Sequence, residues 1–241
     1  MSKVPANMKI VVIGDSLTWG KPGAGYVHIL ERKLPGDAVI NLGKGGDSTA
    51  GLLHRIKEGC LPQNIDILVL EIGTNDVFVD VSPAYPLVRT MLGQPWAKDR
   101  HAFEALYQEV LAQSHQKAKR IIAVPPLLIG EDPESKWNRE LGVREKIIRE
   151  LTSGYENIVC LDVRKLFIDT LKDVNPSHYI VRNPFTVLCD GLFLKDVDAV
   201  DNKAKRRGLH YTLDGVHLNS RGAHLLADAI ANTIRGSTTI D

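Results

Sequence analysis

Ser16 and His217 are the residues whose types and contexts best suit nucleophilic chemistry. Ser16 lies in the run GDSLTWG, and His217 lies in the run DGVHLN, where Asp214 precedes it by three residues. A serine hydroxyl becomes a good nucleophile only when a neighbouring base removes its proton, and an imidazole with a pKa of about 6.5 is such a base. Asp214 is placed to orient that imidazole and to stabilise its charged form. These residue types predict a Ser-His-Asp triad for acyl transfer.

Attack on an ester carbonyl produces an oxyanion, so the same chemistry requires preorganised hydrogen-bond donors. Two further polar runs contain candidates: NLGKGGDST, with Gly46, and GTND, with Asn75. The predicted donors are the backbone amides of Ser16 and Gly46 and the side-chain amide of Asn75. Taken alone, Ser16 also suits a helix cap and Asn75 an ordinary turn, so the combination carries the prediction.

Hydrophobic patterns predict the elements that position these runs. Short, mainly apolar runs predict buried strands at 9–14, 38–42, 65–73, 120–124 and 157–162. Helical spacing of apolar residues predicts helices at 25–34, 49–57, 101–118, 138–154, 164–171 and 220–234. This alternation is typical of an α/β protein, a three-layer α/β/α sandwich with a mostly parallel central sheet. The polar runs are then expected beyond the carboxyl ends of the strands, where such sheets bind ligands.

Two segments interrupt the alternation, around residues 78–98 and 172–208. Both are rich in proline, aspartate and asparagine, and are predicted to be irregular insertions in a single domain spanning 1–241. They are expected to supply the walls of the substrate pocket. Trp19, close after Ser16, and His210, near His217, are the other candidates for that pocket. Asp15 and Asp76 are assigned structural roles.

Composition limits the classes of partner. Among 241 residues, 30 basic and 29 acidic side chains give a formal net charge of +1, which favours neither nucleic acid nor a membrane surface. Cys60, Cys160 and Cys189 form no C-x-x-C motif, so neither a disulfide framework nor a zinc site is indicated. The N-terminal run is not typical of a signal peptide, and a cytoplasmic location is expected. No metal or organic cofactor is expected, a small-molecule ester is the expected partner, and the oligomeric state stays open.

The four polar runs, in this order, resemble the conserved blocks of the SGNH hydrolases, also called GDSL esterases or lipases. Four residues match those that give the family its name: Ser16, Gly46, Asn75 and His217. Asp214 matches the triad acid of the family. In the second block Gly45 is the alternative to Gly46, which is the preferred match because it directly precedes Asp47. The resemblance implies a flavodoxin-like α/β/α sandwich and ester hydrolysis, with activities that range over carboxylesterases, arylesterases, thioesterases, lysophospholipases and carbohydrate deacetylases.

Other classes fit the sequence less well. A dinucleotide-binding protein requires G-x-G-x-x-G, but GKGGDS has Ser48 at the third glycine position. A conventional α/β-hydrolase requires G-x-S-x-G, and Thr18 occupies the last position. A metal-dependent hydrolase would require a third ligand beside Asp214 and His217, and none is apparent.

The preferred hypothesis is a serine esterase that acts on small or short-chain carboxylic esters through an acyl-enzyme intermediate. The lack of a large apolar surface pattern disfavours a long-chain lipase. A carbohydrate O-deacetylase, a lysophospholipase and a thioesterase are alternatives within the same family. A non-catalytic carbohydrate-binding relative is the alternative from a different class.

Overall fold

The computed structural model describes residues 7–79, 81, 85–91, 93–175, 177–194 and 196–236. Its centre is a parallel sheet of five strands in the order β2-β1-β3-β4-β5. The strands are β1 (Lys9–Gly14), β2 (Ala38–Gly43), β3 (Ile65–Glu71), β4 (Ala118–Val124) and β5 (Ile158–Cys160). This is the flavodoxin-like strand order, in which the chain reverses direction across the sheet between β2 and β3.

The register of the sheet brings three strand ends to one level. Gly14 at the end of β1 lies opposite Gly43 of β2 on one side and Glu71 of β3 on the other. The runs that follow these three strands therefore emerge side by side. This is the arrangement expected from the sequence for GDSLTWG, GKGGDST and GTND.

Eleven helices are present among the described residues. In chain order they are α1 (Ser16–Trp19), α2 (Tyr26–Lys33), α3 (Thr49–Lys57), α4 (Thr74–Phe78), α5 (Tyr85–Met91), α6 (Arg100–His115), α7 (Lys136–Thr152), α8 (Val163–Leu171), α9 (Pro184–Phe193), α10 (Val197–Arg206) and α11 (Ser220–Arg235). No helix of this described part is both long and apolar enough to cross a membrane.

Two apolar cores cover the two faces of the sheet. Ile10 and Val12 of β1 pack in a core with α2, α8 and α11, whereas Val11 and Ile13 pack in a second core with α3 and α6. This split follows from the two-residue period of a strand, which points successive side chains to opposite faces. The fold is therefore a three-layer α/β/α sandwich, and the predicted fold class is confirmed.

The two insertions are more regular than predicted. The first contains α5, and the second contains α9 and α10, so the prediction of irregular structure is wrong there. Residues 80, 82–84, 92, 176 and 195 of these insertions lie outside the described residues, as do 1–6 and 237–241 of the predicted single domain. Polar residues in the second insertion begin helices: Asn183 accepts from the amide of Phe185 and Asp196 from that of Ala199. Such residues favour helix N-caps as well as loops.

Candidate active site

Ser16 is positioned by the sharp turn between β1 and α1. Asp15 caps α1 by accepting a hydrogen bond from the amide of Leu17 at 2.9 Å. The turn requires glycine at Gly14, because a Cβ there would lie 2.2 Å from the backbone oxygen of Glu71. Ser16 is thus fixed at the first position of α1, at the carboxyl edge of the sheet.

The loop between α10 and α11 brings His217 to Ser16. Ser16 Oγ lies 3.0 Å from His217 Nε2, and His217 Nδ1 lies 2.8 Å from Asp214 Oδ2. The other oxygen of Asp214 accepts from the backbone amides of Val216 and His217 at 3.0 and 2.8 Å. Three hydrogen bonds therefore fix this carboxylate, and its geometry is that of an acid that orients a catalytic imidazole.

The electrostatics of the pair support a charged acid beside the imidazole. Burial lowers the pKa of His217, but the negative charge of Asp214 and its hydrogen bond outweigh burial and raise that pKa above its ordinary value. Burial raises the pKa of Asp214, but the charge and the hydrogen bonds of His217 lower it below its ordinary value. Asp214 is therefore ionised at neutral pH, and its charge favours the protonated form of His217.

A buried glutamate, Glu131, holds the start of the His217 loop. Glu131 Oε1 accepts from the amides of Tyr211 and Thr212 and from the hydroxyl of Thr212, each at 2.8 Å. Glu131 Oε2 accepts from the amide of His210 at 2.7 Å. Glu131 was not predicted as a site residue, because its only signal is an acidic side chain that directly follows the apolar run LLIG.

The prediction that His210 lines the substrate pocket is wrong. Its ring Nε2 lies 3.1 Å from the backbone oxygen of Asn175, and the side chain borders a separate, polar cavity of about 750 Å³. The backbone folds back after His210, through a bridge between Thr212 and Leu218. Closeness to His217 along the chain therefore does not bring the two rings to the same cavity.

Three predicted oxyanion donors, Ser16, Gly46 and Asn75, line one cavity, but they differ in availability. Among the described residues, the backbone amides of Ser16 and Gly46 have no protein acceptor. Asn75 Nδ2 donates both of its hydrogens, to Asp15 Oδ2 at 3.0 Å and to the backbone oxygen of Asp47 at 2.8 Å. Asn75 must therefore release one acceptor before it can donate to a third group.

Arg89 of α5 holds the peptide that carries the Gly46 oxygen. Its guanidinium donates to the backbone oxygens of Gly46 at 2.8 Å and of Pro95 at 3.0 Å, and the side chain is almost fully buried. The two-pronged geometry of arginine allows one side chain to fix both carbonyls. Arg89 was not predicted, because a single arginine in an insertion carries no recognisable pattern.

Asp15 and Glu71 form a buried pair of carboxyl groups behind Ser16. Burial raises the pKa of Asp15 to about 6, and burial together with the charge of Asp15 raises that of Glu71 well above its ordinary value. Asp15 accepts from the amides of Leu17 and Asn75 and from the carboxyl group of Glu71, whereas Glu71 accepts from the hydroxyl of Thr18 and the backbone amide of Asp15. The negative charge therefore belongs on Asp15, because it has more donors to stabilise it.

Asp76 ties two segments beside the site together. Its carboxylate accepts from the amide and the hydroxyl of Thr49 at 2.9 and 2.8 Å, and from the amide of Ala97 at 2.8 Å. These contacts join the start of α3 to the chain before α6. Both aspartates that the sequence analysis assigned to structure, Asp15 and Asp76, thus make structural hydrogen bonds.

Ser16 and His217 open into a cavity of about 430 Å³. Trp19 lines it, so the structure places this predicted pocket residue in the same cavity as Ser16, where the tryptophan is 51% exposed. The remaining walls come largely from α5 and α9, which belong to the two insertions. Within the described part of the chain, no group of three or more histidine, cysteine, aspartate or glutamate side chains is arranged to hold a metal ion.

A family model that matches most of the chain identifies the family of the protein. The model of the GDSL-like Lipase/Acylhydrolase family matches residues 12–179, which is well over half of the chain. The protein belongs to this family. The match includes Ser16, Gly46 and Asn75 and ends before Asp214 and His217. The interpretation of Asp214 and His217 therefore rests on their geometry and on their sequence motif.

The relatives of this GDSL-like acylhydrolase include esterases. An acetylxylan esterase of Geobacillus stearothermophilus is 24% identical over 197 residues, which are 73% of this chain and 84% of the relative. Together with the family, this relationship shows that the GDSL-like acylhydrolase is a carboxylic ester hydrolase.

Solved structures share the fold at low sequence identity. LAE5, an alpha/beta hydrolase from the metagenome of Lake Arreo in Spain, is 20% identical, covers 98% of both chains and has a TM-score of 0.65. Axe2, an acetylxylan esterase of Geobacillus stearothermophilus, is 21% identical, covers 96% of both chains and has a TM-score of 0.66. Mutants of Axe2 at a serine, a histidine and an aspartate, each described as catalytic, have TM-scores of 0.68, 0.66 and 0.68.

Proposed function

We propose that this GDSL-like acylhydrolase cleaves small or short-chain carboxylic esters with a triad of Ser16, His217 and Asp214. The observation that carries the proposal is the unbroken chain of contacts from Ser16 Oγ to His217 Nε2 at 3.0 Å and from His217 Nδ1 to Asp214 Oδ2 at 2.8 Å. The catalytic serine, histidine and aspartate of the Axe2 mutants support the same set of residue types.

The first half of the reaction transfers the acyl group to the enzyme. Ser16 Oγ forms a bond to the ester carbonyl carbon while His217 Nε2 accepts the hydroxyl proton. The carbonyl electrons move onto oxygen, and the resulting oxyanion takes hydrogen bonds from the free amides of Ser16 and Gly46. The tetrahedral intermediate then collapses, the bond to the alcohol oxygen breaks, and His217 gives its proton to that oxygen. Asp214 keeps Nδ1 protonated throughout.

The second half regenerates Ser16. Water gives a proton to His217 and attacks the acyl-enzyme carbonyl, and collapse of the second oxyanion releases the carboxylic acid while the proton returns to Ser16 Oγ. Asn75 is the proposed third oxyanion donor. In this role its amide exchanges the backbone oxygen of Asp47 for the substrate oxyanion, while its bond to Asp15 keeps it in place.

Hydrolysis of p-nitrophenyl acetate tests this mechanism. Wild-type protein should release p-nitrophenol, and Ser16→Ala should fold normally and lose kcat by a factor on the order of 10⁶, as in other serine hydrolases. A Ser16→Ala variant with unchanged kcat would refute the triad.

The second candidate is a carbohydrate O-deacetylase, which the acetylxylan esterase relationship favours. Release of acetate from acetylated xylo-oligosaccharides, compared with release from simple alkyl acetates, distinguishes the two. A cytoplasmic location and the lack of nucleic-acid and membrane partners stay predictions from the sequence.

A further inference from the structure

The cavity above Ser16 has an apolar wall built by α9. Val187, Leu188 and Leu192 of this helix line the cavity, and Val88 of α5 joins them. Leu188 and Leu192 are four residues apart and therefore lie on the same helix face. They are 57% and 58% exposed, so a large apolar surface beside the candidate nucleophile contacts water in the free protein.

The helices that line the cavity also carry most of the exposed large apolar side chains. Of the nine large apolar side chains that are exposed in the described part of the chain, seven lie on α1, α5 or α9, which all contribute to the cavity. They are Trp19, Leu87, Met91, Phe185, Leu188, Leu192 and Phe193. Single exposed apolar residues are ordinary, whereas several that line one cleft, as Trp19, Leu188 and Leu192 do, indicate a binding site. This apolar surface was not predicted from the sequence, because the insertion that contains α9 was expected to be irregular.

Polar side chains line the cavity, among them Ser16, Lys21, Asn75, Gln94 and His217, but none of them lies on α9. Among the described residues, no aspartate or glutamate lines the cavity, and the guanidinium of Arg89 is already bonded to two carbonyl oxygens. A sugar ring placed against α9 would leave hydroxyl groups without hydrogen-bond partners, which is costly once they are removed from water. An aliphatic chain would instead cover Leu188 and Leu192 and remove their surface from water.

We propose that α9 and Val88 form a subsite for an unbranched aliphatic chain of the ester substrate. The proposal rests on the proposed esterase function and adds a substrate class, since it makes esters with longer chains better substrates than acetates. At about 430 Å³ the cavity lies toward the small end of the range for ligand sites, about 300–1,000 Å³. The value of kcat/KM should therefore rise with chain length and stop rising once the chain is longer than the apolar wall.

A chain-length series measures the subsite. The probes are p-nitrophenyl acetate, butanoate, hexanoate and octanoate for the acyl side, and ethyl, butyl and hexyl acetate for the alcohol side. Each methylene that is fully seated should raise kcat/KM by about fourfold until the wall is covered. A rise in one series assigns the chain to that side of the ester, and no rise in either series overturns the proposal.

Two leucine variants test whether the dependence of kcat/KM on chain length arises from α9. Leu188→Ser should reduce the rise in kcat/KM per methylene, whereas Leu87→Ser should leave it unchanged, because Leu87 is exposed on α5 but does not line the cavity. Both side chains are more than half exposed, so neither change is expected to unfold the protein. Equal effects of the two variants would contradict the assignment to α9.

Two further results separate this proposal from the function on which it rests. If all esters are cleaved at similar rates and a fluorophosphonate labels Ser16, the subsite proposal fails and the esterase mechanism stands. If no ester is cleaved and no label attaches, the proposed function itself fails. If size-exclusion chromatography with light scattering shows a dimer that Leu188→Ser dissociates, with an unchanged chain-length series, the apolar face is an interface between two copies and the subsite proposal is overturned.

Discussion

Replacing Asp214 with asparagine changes the hydrogen bonding of His217 while it keeps the shape of the side chain. Oδ1 of Asp214 accepts two backbone amides, from Val216 and His217, and Oδ2 faces His217 Nδ1. An asparagine has one oxygen, which the two backbone amides hold. Its amide nitrogen must then donate to Nδ1, so the ring proton moves to Nε2. In this tautomer His217 cannot accept the proton of Ser16.

The size of the effect follows from the two backbone amides. The productive tautomer of His217, with the proton on Nδ1, requires the asparagine side-chain amide to rotate by half a turn so that its oxygen faces Nδ1. The side-chain nitrogen then faces the backbone N–H groups of Val216 and His217, which lose their acceptor. Each buried group that loses its partner costs about 1–3 kcal/mol, so the productive arrangement lies about 2–6 kcal/mol higher. At about 1.4 kcal/mol per factor of ten, Asp214→Asn should lower kcat by between about 30-fold and about 2 × 10⁴-fold.

Steady-state hydrolysis of p-nitrophenyl acetate measures this loss, and urea unfolding of the same samples shows whether the variant is folded. Asp201→Asn is a matched control. Asp201 of α10 also accepts two hydrogen bonds, from the backbone amide and the hydroxyl of Ser220 at the start of α11. That control should keep its kcat. A folded Asp214→Asn variant that loses less than tenfold in kcat would refute the argument from the tautomer.

The contacts and the electrostatics of the site also predict the sign of three other effects: a change of pH and the substitutions Glu131→Gln and Arg89→Lys. As the proposed general base His217 must be neutral, and its pKa lies above the ordinary value, so kcat/KM should rise with pH through a midpoint above about 6.5; a midpoint below that value would contradict the pairing with Asp214. Glu131→Gln should place an amide nitrogen against the amide of His210 and lower the free energy of unfolding by about 1.5–3 kcal/mol in urea titrations, and an unchanged midpoint would contradict the role of Glu131. Arg89→Lys should lose one of the two carbonyl contacts and lower both kcat and Tm, whereas wild-type values of both would show that the contacts are dispensable.

The sheet and the order of its elements were predictable because their causes are local. The runs KIVVIG and IDILVLE are strands buried on two faces, so their apolar character is continuous and easily recognised. Glycines and polar residues that follow β1, β2 and β3 predicted that Ser16, Gly46 and Asn75 lie at one edge of the sheet. The geometry brings these residues together as expected, while their catalytic roles remain the proposal to be tested.

The residues that hold the site were not predictable, because their partners are distant in sequence. Glu131 bonds to residues about eighty positions later, and Arg89 bonds to Gly46, 43 positions earlier. Neither has a spacing or composition that a single sequence reveals. His210 was misplaced for the related reason that its ring direction depends on a backbone bridge, and α9 was missed because its polar N-cap resembles a loop.

Intact-mass spectrometry after exposure to a serine-reactive fluorophosphonate tests the central claim most directly. An activated Ser16 predicts one adduct on wild-type protein, none on Ser16→Ala, and strongly slowed labelling of His217→Ala, because the base is 3.0 Å from the nucleophile. No adduct on folded wild-type protein, or equal labelling of Ser16→Ala, would contradict the proposal that Ser16 is the nucleophile.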